Sequence, residues 1–175
     1  MGIAQQGPGG PEIWIRGPVG EAPPPVEHDH VLTGARRFAW VATHGGAGTS
    51  TLATVFGGHD AGRDWPPSEH GEPWSVLLVG RTHATGLESV AYTLDLFRQG
   101  GTPPGLDLDA VVLVADAPGR LPRPLAQRVK ALASLVDVHQ VPWVPAWRIG
   151  DLTSEPPRET AALARLTASA SRPRA

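Results

Sequence analysis

At 175 residues the chain is long enough for one ordinary domain and short for two. Apolar residues make up 41% of it, near the globular norm, but 21 Gly and 19 Pro mark stretches that cannot pack, so the ordered core should be smaller than the chain. A formal net charge of -2 gives no broad positive field for a polyanion, which argues against nucleic acid as a partner, and zero cysteines exclude disulfides and thiolate metal sites.

The cytoplasm is the compartment expected for such a chain, since it needs no oxidising surroundings. The N-terminal "MGIAQQGPGGPEIW" lacks the basic and apolar regions of a signal peptide, and the apolar runs "VLLVG" and "AVVLVA" are far too short to span a bilayer. Membrane insertion is not expected.

Taken in chain order, residues 1–36 carry "GPGGP", "RGPVG" and "APPPV", a composition that favours extended or turning backbone, and read as a flexible arm. Trp14, between Ile13 and Ile15, is either a short docking segment or an incidental apolar trio. Order is expected from Arg37, where "RFAWVAT" reads as a first, buried parallel strand. "STLATVF" gives a short helix stopped by Gly57 and Gly58, and residues 57–73 read as a loop dense in Gly, Pro and Asp.

"WSVLLVG" is the second strand. From Gly86, residues Leu87, Val90, Ala91, Leu94 and Phe97 form one helical stripe that ends at Gly100 and Gly101. "LDAVVLVADA" is apolar throughout and reads as a third strand, covered on both faces and central in the sheet. Leu125, Val129, Leu132 and Val136 mark a third helix with Pro124 in its first turn. "VDVHQV" is a fourth strand ended by Pro142 and Pro145. The tail from Asp151 holds an alanine-rich helical stretch over 158–169.

Alternating strands and helices imply an α/β fold with a mostly parallel sheet, right-handed crossovers and helices on both faces. The expected organisation is an arm (1–36), an α/β domain (37–150) and a partly helical tail (151–175). No internal repeat is present.

The turn between the first strand and its helix, "THGGAGTSTL", would present backbone N–H groups and the positive end of a helix dipole at one point, where phosphates settle. Gly45, Gly46 and Gly48 let an anion approach the main chain, with Ala47 between them, and Ser50 and Thr51 offer hydroxyls for a phosphate-bound Mg²⁺. The bare alternative is a tight glycine turn that binds nothing.

This stretch resembles the deviant Walker A loop of the MinD and ParA class of P-loop ATPases, K-G-G-x-G-K-[ST]. The resemblance puts His44 in place of the signature lysine, Thr49 in place of the phosphate-binding lysine and Ser50 at the Mg²⁺-ligating hydroxyl. It also implies a three-layer P-loop fold with ATP and Mg²⁺ as cofactors.

"VVLVADAPG" resembles the strand that carries the Walker B aspartate of that class, with Asp116 as the metal-linked carboxylate; an Asp that merely caps the turn before Pro118 is the plainer reading. Without the lysines, hydrolysis should be weak or absent, since they stabilise the charge that develops in phosphoryl transfer. His44, if protonated, or Arg81 from the end of the second strand is expected to replace part of that charge. The function so implied is a nucleotide-binding regulatory adaptor, with an interaction protein that keeps only the fold as the alternative. Either needs a protein partner, and the class leaves room for a homodimer.

A departure lies at "GRTHATGL", where that class places an acidic residue. "HGGAG", "ADAPGRLP" and "VPWVPAWR" resemble a group of short proteins from high-GC bacteria. The remaining sites are weaker. "EHDH" at 27–30 lies in the arm and lacks zinc-site spacing, and Ser50 has no hydrolase elbow around it. Asp107 and Asp109 precede the third strand as a solvated edge. Trp143 and Trp147 either stack on a base, face a partner or cover the sheet edge.

Overall fold

The computed structural model describes residues 37–67 and 73–170, all within one compact unit, Leu32–Ala175. The arm, Trp14 and "EHDH" lie outside the described residues.

Five strands form one sheet: β1 (Phe38–Ala42), β2 (His59–Asp60), β3 (Trp74–Arg81), β4 (Leu106–Val114) and β5 (Val138–Val141). Their order is β2-β1-β3-β4-β5, and every pairing is parallel. The helices are α1 (Thr49–Phe56), α2 (Ala84–Arg98), α3 (Arg123–Ala133), α4 (Pro145–Arg148) and α5 (Ala161–Ala170), the last preceded by a 3-10 turn, Arg158–Thr160.

The strands are continuous apolar runs because both faces of the sheet are covered. Side chains alternate between two cores. Trp40, Leu77, Val79 and Val112 pack with Leu52 of α1 and Leu163 of α5. Val41, Val76, Leu78, Val111 and Leu113 pack with Val90 and Leu94 of α2 and Val129 and Leu132 of α3. The fully buried Trp40 keeps its indole N–H satisfied on the Gly57 carbonyl at 2.7 Å.

The α/β class and the four long strands agree with the sequence reading; the short helix α4 was not expected there, and three further details differ. The stretch read as a loop over 57–73 contains the two-residue strand β2, which pairs Ala39 with His59 and Trp40 with Asp60. β4 is internal, but the middle position belongs to β3. The tail is not separate from the domain: α5 buries Leu163 to 1% exposure and sets Leu166 against the same core, so the packed unit runs past residue 150. Among the described residues no helix is long and apolar enough to cross a membrane.

This strand order places β1 between β2 and β3, so chain connections leave β1 and β3 in opposite directions across the sheet. In open α/β sheets of this order, the crevice outside the carboxyl ends of those two strands is where ligands bind.

Candidate functional site

Two strand ends meet at that crevice. β1 delivers Thr43, whose N–H and hydroxyl both donate to the Val79 carbonyl, at 2.9 and 3.1 Å, and so fix the start of the turn on β3. Gly46 and Gly48 then take positive φ, +74° and +110°, where a side chain would be strained. Gly48 is the N-cap of α1 and no side chain caps that helix, so the first-turn N–H groups have no intrahelical acceptor.

Arg81, the last residue of β3, ties the crevice together. Its backbone N–H donates to His44 Nε2 at 3.0 Å, its Nε to the Gly46 carbonyl at 3.1 Å and its Nη1 to the Ala115 carbonyl at 3.1 Å. Burial lowers its pKa and the neighbouring Arg148 pushes the same way, while Asp116 opposes both. Arg148 Nη2 donates to the same Ala115 carbonyl at 3.1 Å, and its guanidinium stacks on Trp143, 4.1 Å from the ring centre. Neither guanidinium is ion-paired among the described residues.

An open hollow of about 470 Å³ lies over the turn, lined by Ala42, residues 44–51, Gly62, Arg63 and Arg81. A narrower cleft of about 40 Å³ runs on from Gly48, Thr51 and Arg81 to Arg148 and Trp147. In its wall the Trp147 indole N–H is buried without a hydrogen-bond partner.

The expected site residues from His44 to Thr51, with Arg81, are therefore brought together. Two roles change. His44 is not the expected phosphate cation: its Nε2 accepts the Arg81 N–H, which requires an unprotonated nitrogen, and its Nδ1 then donates to the Gly45 carbonyl at 2.9 Å. The ring serves as a brace between the turn and β3.

Asp116 does not form the expected pair with Ser50. It follows β4, which β3 separates from β1, and it lines a different cavity. Its backbone N–H donates to the Thr82 hydroxyl at 3.1 Å, and its charge favours the charged form of Arg81. The carboxylate beside Ser50 is Asp60, at the end of β2, whose Oδ2 accepts the Ser50 hydroxyl at 2.6 Å.

Burial works to raise the Asp60 pKa, but hydrogen bonds from Ser50, Gly62 and Thr49 and the charge of His59 together hold it below the ordinary carboxylate value. Thr49 itself is only 5% exposed. Asp107 and Asp109 lie in the amino-terminal half of β4, away from the strand ends that carry the turn. Asp60 and Arg148 escaped the sequence reading: a two-residue strand shows no periodicity, and "VPWVPAWR" drew attention to its tryptophans.

Among the described residues no group of three or more His, Cys, Asp or Glu side chains could hold a metal. The Ser50–Asp60 pair does fit Mg²⁺, which takes few protein ligands and fills its shell with water and phosphate oxygens.

Residues 38–166 match the family described as "Family of unknown function (DUF6668)". No curated protein and no solved structure matches the chain.

Proposed function

We propose that this chain, which belongs to the DUF6668 family, binds a nucleoside phosphate with Mg²⁺ at the β1–β3 crevice and acts as a nucleotide-responsive regulatory protein that hydrolyses its ligand weakly or not at all. The observation that carries this reading is the convergence of an uncapped helix start, a positive-φ glycine turn and the Arg81 guanidinium on one hollow.

Each part has a share in holding an anion. Main-chain N–H groups at the start of α1 face a phosphate without side-chain bulk, and Arg81 adds a fork-shaped cation already aimed by two carbonyls. The likeness of "GGAGTST" to a Walker A loop points the same way. ATP is the expected ligand, and a P-loop-like arrangement of the three-layer fold is the corresponding architecture. Bound Mg²⁺ would neutralise phosphate charge. Ser50 and Asp60 are the residues that would hold it.

Weak turnover follows from the residues present. Thr49 occupies the phosphate-lysine position, is buried and bonds to Asp60, so no ammonium stands there. Arg81 supplies charge from the strand side, but both its Nε and Nη1 are engaged with carbonyls. Charge fixed on the ground-state turn contributes to binding more than to a transition state.

Calorimetry of the full chain with ATP and Mg²⁺ tests this. The expected result is one site per chain, with phosphate release at background level. Arg81→Gln should weaken binding by about 10–100-fold, the loss expected for a charge-assisted hydrogen-bonding group. Absence of heat with ATP, ADP and GTP alike would leave the interaction-protein reading in its place.

A further inference from the structure

A second cavity, of about 690 Å³, opens between the loop after β4 and the turn that leads into α4. No residue of the glycine turn lines it, nor does Arg81. Its volume falls within the roughly 300–1,000 Å³ usual for small-molecule sites. The proposed nucleotide site does not include it.

Its walls are rich in proline and largely apolar. Trp143 and the rings of Pro118, Pro122, Pro142 and Pro145 line it, and proline fixes its own backbone angle, so the space exists before a ligand arrives. Trp143 is itself held, since Arg148 stacks on its ring and is anchored on the Ala115 carbonyl. Leu113 and Leu125 add the apolar floor.

Its charged groups are unequal in sign and stand beside the polar Thr82, His83 and Gln140. Asp116 and Glu159 line the cavity with one opposing guanidinium, Arg120. Neither carboxylate is hydrogen-bonded or ion-paired through its side chain to a described residue. A pocket with an indole wall, proline rings and two carboxylates whose side chains accept no hydrogen bond from a described residue complements a flat ring that carries donor groups and no negative charge.

We infer that this cavity is a second ligand site, separate from the phosphate hollow, for a flat amino-substituted heteroaromatic molecule. The ring stacks on Trp143, and its amino groups donate to Asp116 and Glu159. The two sites share no lining residue, and either can hold a ligand without the other, although Asp116 also acts on the charge of Arg81.

Proflavine, a flat diamino heteroaromatic cation with its own fluorescence, is the probe, titrated into the full chain. 1-Naphthalenesulfonate, a flat ring with the opposite charge, is the control. Proflavine should bind at one per chain and quench Trp fluorescence, and the sulfonate should bind at least tenfold more weakly. D116N combined with E159Q should cost proflavine tenfold or more, and both residues are exposed enough for the fold to survive.

W143A should cost at least as much, with W143F recovering part of the loss. Equal binding of the two probes, or proflavine affinity indifferent to these substitutions, would overturn the inference. Stoichiometric displacement of proflavine by ATP would also overturn it, because the cavity would then be one end of the nucleotide site. A chain that binds proflavine but no nucleotide would leave this site standing and remove the proposed function.

Discussion

Asp60 shows how much one side chain can depend on its neighbours at the crevice. It accepts from Ser50 at 2.6 Å and from the Gly62 N–H at 3.0 Å, and these bonds favour its charged form over the neutral one. Its folded pKa is therefore depressed from the ordinary 3.8. The linkage sign is that of a carboxylate stabilised by folding: the contribution is present above the unfolded value and disappears as pH falls through the lower folded value. Urea denaturation of wild type and Asp60→Asn across pH should therefore show a stability gap that is constant above about pH 3.8 and closes below it. A gap that widened on acidification would contradict the hydrogen-bonding assignment. None of this was legible beforehand, because Asp60 lay in a stretch whose Gly, Pro and Asp content signals a loop. Arg81 was legible as a cation at a strand end, but its hold on both Gly46 and Ala115 depends on how the β1 and β4 loops meet in the fold.

Among the elements, α2 sets the geometry of the turn from the far side of β3. His83 caps it, with Nδ1 accepting the Gly86 N–H at 2.9 Å, and the His83 ring lies 5.2 Å from that of His44. The helix starts this close to β3 because residue 86 has no side chain. A Cβ there would stand 2.4 Å from the Arg81 carbonyl oxygen and 3.1 Å from His44 Nε2. Backbone cannot yield as a flexible side chain does, so Gly86→Ala should destabilise the chain by about 1–3 kcal/mol. It should also weaken ligand binding at the turn, since the His44–Arg81 brace must move. Chemical denaturation and calorimetry on the same variant would check both, and an unchanged midpoint with unchanged affinity would remove α2 from the argument. The stripe from Leu87 to Phe97 announced this helix in the sequence, because long amphipathic periodicity survives without tertiary context. Its cap did not announce itself: a histidine acting as N-cap carries no pattern in the sequence.

At the scale of the whole molecule, the order β2-β1-β3-β4-β5 explains why one end of the sheet concentrates the chemistry. Two connections diverge from β1 and β3 in opposite directions across the sheet. The long apolar strands could be read from composition, but their order could not. The motif likeness that pointed to Asp116 gave no information on whether β4 adjoins β1, and β3 lies between them. Both faces must be covered for such strands to be stable, and this gives the alanine-rich C-terminal helix a role that its sequence understates. α1 is short and cannot cover its face alone; Leu163 of α5 completes the core around Trp40 and Leu52. Leu163→Ala should therefore cost about 2–5 kcal/mol, as for other fully buried leucines, and truncation before the 3-10 turn should cost more. Because α1 also carries the first-turn N–H groups of the phosphate hollow, loosening α5 should reduce ligand affinity without any contact to the ligand. Thermal denaturation of Leu163→Ala, with and without Mg²⁺-ATP, separates the two effects. A lowered midpoint with an undiminished ligand-induced shift would confine α5 to stability, whereas loss of both would show that the cover of the sheet and the opening of the crevice are one structural unit.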